Sequence, residues 1–336
     1  MSIKFGIIGC RHSHILVFID EMLKLGHTFA GVHDPSDVVQ ARQIAAKYNV
    51  PMYNSREELS DSSIQIIGSS AINSEKIDII EWCEKYDKHI MVDKPAITDR
   101  DKLHRLEAVV ERGHIQIGML LTERFRPALH TLKKAIDSAE LGRIVSISMR
   151  KPHRLRPETR AEWHFSKLHN GGVIIDLLVH DFDLLRWLTK QEAVSVQAVM
   201  TKNMLPEYPE FWDAASAQVV LDGGAIGLLY SDWHTPEKSW TWGDCRIFVN
   251  GTAGSAELRL SGDPSVSGHE ELYLQITSSE EFTRVPLQSP AQTLTEDFMN
   301  RIAGQPALIT HTDILAASAL TIAADESAVV INNTGN

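Results

Sequence analysis

The feature that most constrains the fold is an alternation of short apolar runs with helix-period segments through the first third of the chain. It opens on Phe5-Gly-Ile-Ile-Gly9-Cys-Arg-His-Ser-His14. The pattern predicts strands near 4–8, 28–33, 52, 64–68, 89–92 and 115–119, and helices near 15–25, 38–48, 74–86 and 99–112. Strand and helix in turn at this spacing imply a parallel sheet covered on both faces. Residues 1–122 are therefore expected to form a doubly wound, Rossmann-type dinucleotide-binding domain.

From Thr122 the pattern changes. Helices are predicted over 127–139 and 172–188 and a strand over 144–149. Strands near 194–200, 214–221, 225–233, 245–250 and 271–277 then follow one another with Gly, Asp and Asn turns and no crossover helices. Such a run favours an open, mainly antiparallel sheet. Helices near 294–302 and 313–330 close the chain. Because domains usually run to roughly 100 to 200 residues, a chain of 336 is read as two, the second being an α/β domain over 123–336.

Composition narrows the partners. A net charge of -11 argues against a phosphate-backbone binder, which presents clustered Lys and Arg, so no nucleic-acid partner is expected. No run approaches the roughly 18 apolar residues of a membrane helix, and Met1 to Gly9 is too short for a signal peptide. Cys10, Cys83 and Cys245 are too scattered for a disulfide framework or a metal-ligand cluster, which suits the cytoplasm.

Three segments carry chemistry. A strand feeding a helix presents free N–H groups and the positive end of the helix dipole to an anion. The turn after Gly9 is thus a pyrophosphate site or a plain strand-turn-helix. Arg11 and His14 stand where a Gly-x-Gly-x-x-Gly fingerprint has its second and third glycines, so Arg11 is expected to offer its guanidinium to the phosphates. Asp34, 25 residues after Gly9, fits either a ribose-hydroxyl acceptor or a turn cap. The former prefers NAD, although Arg11 or Lys76 would tolerate the extra phosphate of NADP.

Asp93-Lys94-Pro95 follows a strand at the carboxyl edge of the sheet, where proline restricts the backbone of Lys94 and aims its ammonium. Asp176, His180 and Asp183 fall at i, i+4 and i+7 of an otherwise apolar helix. Asp176 and His180 form either a satisfied core pair or an acid–base dyad in a cleft. A metal site from His12, His14 and a histidine of the second domain has no matching spacing, and no metal is expected.

With these motifs in order, the chain resembles the Gfo/Idh/MocA family of NAD(P)-dependent oxidoreductases. The resemblance rests on Gly6-Ile-Ile-Gly9, Asp34, Asp93-Lys94-Pro95, Arg124-Phe125-Arg-Pro127, Leu141-Gly142-Arg-Ile144, Gly171-Gly172 with Asp176 and His180, and Asn250-Gly-Thr-Ala-Gly254. It implies a Rossmann domain, a second domain whose sheet makes a homodimer or homotetramer, and an active site drawn from both domains. It implies cofactor contacts from Gly9, Cys10, Arg11, His12, Ser13, His14, Asp34, Ser69, Ser70, Asn73, Asp93 and Lys94. On this resemblance His180 takes a proton from a secondary hydroxyl, Lys94 hydrogen-bonds the developing alkoxide, and Asp176 holds a sugar, cyclitol or other polyhydroxy substrate.

Arg124, Arg154, Trp163, His164 and His234 are expected around that substrate. Asp93 stands for the family's usual Glu, and Ser70-Ala71-Ile72-Asn73 for its Thr-Pro-Asn segment. Two other activities occur among such proteins, glycoside hydrolysis by transient oxidation on NAD and non-catalytic sugar sensing. Intact Lys94, Asp176 and His180 argue against a sensor.

Overall fold

The first strand, β1 (Lys4–Cys10), is buried at six of its seven residues, as a strand covered on both faces must be. The computed structural model to which it belongs describes residues 2–332, so Met1 and 333–336, the outermost positions of the two expected domains, lie outside it. The described chain divides into two units.

The first unit holds the chain through Leu121, with Leu168–Gly171 and Gln292–Ala319. After β1 come α1 (Ile15–Lys24), β2 (Thr28–His33), α2 (Val38–Tyr48), β3 (Ile64–Ser70), α3 (Lys76–Lys85), β4 (His89–Val92), α4 (Arg100–Arg112) and β5 (Ile117–Met119). The strands pair in parallel in the order β2-β1-β3-β4-β5. The strand expected near 52 is a single bridge from Met52 to Val32. Local signals set the helix ends. The Asp99 carboxylate accepts the Lys102 amide at 2.9 Å to start α4, and Gly113 at φ 69° stops it.

The second unit holds Thr122–Lys167, Gly172–Ala291 and the chain from Leu320. It contains α5 (Pro127–Asp137) and β6 (Ile144–Arg150), and the short helix α6 (Lys167–Asn170) spans the division. The helix predicted over 172–188 is two helices, α7 (Val173–Leu177) and α8 (Val179–Thr189). At the join the Asp181 amide donates to Leu178 O three residues back at 2.9 Å, which tightens the turn.

Eight strands follow: β7 (Ala193–Lys202), β8 (Ala214–Leu221), β9 (Ile226–Asp232), β10 (Arg246–Gly251), β11 (Gly254–Arg259), β12 (Leu272–Thr277), β13 (Thr283–Arg284) and β14 (Val329–Asn332). With β6 they make one sheet ordered β13-β12-β11-β10-β6-β9-β8-β7-β14. Among the described strands of this sheet, only β6 with β9 and β7 with β14 pair in parallel. Alternate residues of β8 are buried, and that face packs a core that includes Leu132, Ile147, Leu185, Leu229 and Val249.

Helix α9 (Leu294–Ile302) and the start of α10 (His311–Glu326) belong to the first unit. The predicted helix 313–330 is shortened by β14, whose β-branched Val329-Val-Ile331 run suits a strand. Among the described residues no helix is long and apolar enough to cross a membrane.

Candidate functional site

In the first unit, strand order sets the place. In a doubly wound sheet ordered 2-1-3-4-5 the chain leaves β1 and β3 in opposite directions, and the crevice opens at their carboxyl ends. Gly9 lies there at φ 79°, where a Cβ would come 2.5 Å from Ala71 Cβ, so only glycine lets the turn pass this close to the end of β3. The Arg11 amide donates to Ser70 O at 2.9 Å, and Ser70 Oγ donates to His12 O at 2.8 Å. Ser13 is exposed, and its carbonyl accepts the Leu16 amide as α1 begins.

Two expectations for this turn change. Arg11 is not held out toward an anion on the turn. Its guanidinium donates to Ser36 O at 2.6 Å and lies 3.3 Å from Asp37, because the loop after β2 offers both a carbonyl and a carboxylate. Asp34 accepts three amides, from Cys10 at 2.7 Å, Ser36 at 2.8 Å and Asp37 at 3.0 Å. A carboxylate offers about four acceptor positions, and these amides take three of them, so Asp34 caps the turn as well as standing where a ribose acceptor was expected. Burial, with Asp34 beside it, pushes the Cys10 thiol far up and keeps it protonated.

The β4 end is organised by a residue that sequence reasoning placed elsewhere. Lys76, fully buried, donates to Asp93 O and Asn73 Oδ1 at 2.9 Å and to Pro95 O at 3.0 Å. It thus cradles the Asp93-Lys94-Pro95 turn, in which the Lys94–Pro95 peptide is cis and Lys94 is half-buried. Asn73 is occupied as well, since its Nδ2 donates to Asn170 O at 2.9 Å. Ser69 accepts the Asp93 amide on its carbonyl at 2.7 Å and the Ala71 amide on its Oγ at 3.3 Å. Burial raises the Asp93 carboxyl, but His14, Lys76 and His12 outweigh it and hold the group well below the usual carboxylate range.

In the second unit, Gly172 at φ 88° starts α7 and turns Asp176 inward, where it is 7% exposed. Arg160 is lowered by burial, and the Asp176 charge offsets part of this, so the two lie within electrostatic reach. The Arg160 guanidinium covers the Trp233 ring at 4.7 Å, and His164 and His153 meet the same ring edge-on at 5.3 and 5.6 Å. Trp163 abuts His164 at 5.7 Å. These rings and the guanidinium pack into one cluster around the buried Trp233.

Three expected substrate residues have other partners. Arg124 grips Asp183 with two bonds of 2.8 and 2.6 Å, both side chains being 1% exposed, so Asp183 does not share an open face with Asp176. Arg154 NH2 donates to Ser239 O and Thr241 O at 2.9 and 3.0 Å, and it shapes the loop after β9. His234 Nε2 lies 2.8 Å from Asp213 Oδ1.

Behind half-buried His180 lies a cluster that sequence reasoning missed. Lys151 Nζ sits 3.2 Å from Glu123 Oε2 and 2.9 Å from Asp181 Oδ1. Burial raises Glu123, yet Lys151, Arg126 and His180 pull it far below its ordinary range. Asp181 must share Lys151, and burial pushes it up to about 6. The adjacency of Asp181 to His180 was the one signal available in the sequence.

The chain resembles known proteins in sequence and in fold. Residues 129–257 match the family profile of the GFO/IDH/MocA C-terminal domain. The chain is similar to inositol 2-dehydrogenase of Rhizobium meliloti, 27% identical over 264 residues that cover 74% of each protein. It is 29% identical over 227 residues to scyllo-inositol 2-dehydrogenase (NAD(+)) of Bacillus subtilis, covering 64% of this chain and 62% of that one. A crystal structure of a candidate oxidoreductase from Erwinia carotovora atroseptica shares the fold, with a TM-score of 0.89 at 24% identity over 98% of this chain and 100% of that chain.

Proposed function

Because the chain belongs to the GFO/IDH/MocA family of oxidoreductases, we propose that it is a nicotinamide-dependent dehydrogenase acting on a secondary hydroxyl of a sugar, cyclitol or related polyhydroxy compound. The observation that carries this reading is the sheet order. It leaves the glycine turn at Gly9, Ser70 and the cradled Asp93-Lys94 turn at the carboxyl ends of neighbouring strands, where such sheets bind dinucleotides.

The residues fit the cofactor. Gly9 opens the turn, the start of α1 would face the pyrophosphate, and Asp34 stands at the end of β2 where a ribose hydroxyl would be bound. Asp34 and Asp37 are negative where a 2′-phosphate would lie, and Arg11 is engaged with Asp37, so NAD is the preferred dinucleotide. When bound, the nicotinamide supplies the hydride acceptor. His180 takes the hydroxyl proton as the C–H pair leaves and the C=O forms. Lys94 donates to the developing alkoxide. Asp176, with Arg160 beside it, binds substrate hydroxyls.

The described cysteines are unpaired, in keeping with a cytoplasmic enzyme. The open face of the large sheet carries Phe248, Leu228 and Gln218 in one row across neighbouring strands, with Val220 and Ile226 exposed beside them, and it is assigned to contact with a second copy of the chain. Replacing Lys94 or His180 by Ala tests the roles. Each is expected to lower turnover by about 10²- to 10⁴-fold while NAD binding by calorimetry persists. Near-normal turnover in His180→Ala would refute its role as base.

A further inference from the structure

The nucleotide turn carries two histidines, His12 and His14, the second of them at a glycine position of the fingerprint, and the proposed hydride transfer uses neither. His12 and His14 follow β1, and Asp93 lies 79 residues beyond His14, so no short motif joins them. In the fold both rings turn Nδ1 toward one buried carboxylate. His14 Nδ1 is 3.1 Å from Asp93 Oδ1, and His12 Nδ1 is 3.5 Å from Oδ2. One donor atom from each residue falls within 4.8 Å of the others.

The two histidine-to-carboxylate distances are close to those between ligands around an ion. Two donors bound at about 2.0–2.1 Å in tetrahedral directions lie roughly 3.3 Å apart. The His14 amide points at His12 Nδ1 at 3.4 Å.

The ligand-bearing segments are already anchored. Ser70 Oγ holds His12 O at 2.8 Å, Ser69 O holds the Asp93 amide at 2.7 Å, and Lys76 spends its charge on the Asp93 carbonyl at 2.9 Å. Asp93 is buried, whereas the His12 and His14 side chains are 36% and 46% exposed, which leaves the outer coordination positions open.

We propose that His12, His14 and Asp93 form a binding site for one divalent transition-metal ion of the Zn²⁺ class. Two imidazoles with one carboxylate suit borderline ions, whereas Mg²⁺ and Ca²⁺ require oxygen ligands. The ion places positive charge beside a turn that lacks two of the glycines that let backbone amides approach a pyrophosphate closely, and its open positions accept oxygen ligands such as phosphate. Only that last consequence rests on the dinucleotide reading.

The test titrates EDTA-stripped full-length protein with Zn²⁺ against a chromophoric chelator, with no nucleotide present. Wild type is expected to bind one equivalent. His12→Ala, His14→Ala and Asp93→Asn are each expected to weaken it at least about tenfold, with unchanged far-UV circular dichroism. Cobalt-loaded wild type is expected to show a visible ligand-field band that the His14→Ala variant lacks. Wild type binding Zn²⁺ no more tightly than His12→Ala and His14→Ala, whose altered side chains are exposed enough to spare the fold, would overturn the site and leave a hydrogen-bonded cluster only. A failure of NAD to bind would count against the dehydrogenase reading and leave the zinc result standing.

Discussion

Two buried lysines anchor the segments that carry the proposed catalytic side chains. Lys76 gives its ammonium to Asn73 and to the carbonyls of Asp93 and Pro95. Lys76→Met strands these buried acceptors, and a loss of about 3 kcal/mol in urea unfolding is expected, with slower turnover as Lys94 loses its aim. Lys151 neutralises Glu123 and Asp181 together, so Lys151→Met leaves carboxylates buried without their cation and is expected to cost about 3–5 kcal/mol. The Lys151→Met, Asp181→Leu double variant is expected to recover part of that loss. Equal stability of single and double variants would show that Asp181 does not depend on Lys151. Neither lysine was legible in the sequence. A lysine reads as solvated surface until its partners, here carbonyls and carboxylates from distant segments, are brought to it. Asp176 and His180 were legible because polar groups interrupt an apolar helix.

At the scale of elements, the first residue of α10 is tied to β5. His311 Nε2 accepts the Ile117 amide at 3.0 Å and must be neutral to do so. Burial, with Arg301 nearby, pushes the imidazole down to about 4 from 6.5. A base depressed in the folded state contributes stability that is full above its unfolded pKa and is lost as pH falls toward the folded one. Urea unfolding of wild type is therefore expected to show stability declining from pH 6.5 toward 4, with a shallower decline in His311→Asn. Identical slopes would mean that His311 does not titrate with unfolding. The strands of the first unit were legible because, buried on both faces, they read as continuous apolar runs. Strand β11 was not, since Glu257 and Arg259 alternate with only Ala256 and Leu258 and their charges pair on the sheet face. The break at Leu178 was equally hidden, because tightening one turn changes hydrogen bonding and leaves the apolar pattern intact.

At the scale of the whole molecule, the nine-stranded sheet shields one face with helices and leaves Phe248, Leu228 and Ile226 exposed on the other. Light scattering is expected to give a dimer or tetramer for wild type and a smaller species for Leu228→Glu with Phe248→Glu. A monomeric wild type would remove that interface from the account. Hydride transfer itself is measured with a panel of cyclitols, aldoses, sugar acids and sugar amines with NAD, followed by the absorbance of reduced nicotinamide. Reduction of NAD by at least one polyhydroxy compound is expected, and its loss in Lys94→Ala. Failure of the purified chain to bind either NAD or NADP would contradict that expectation.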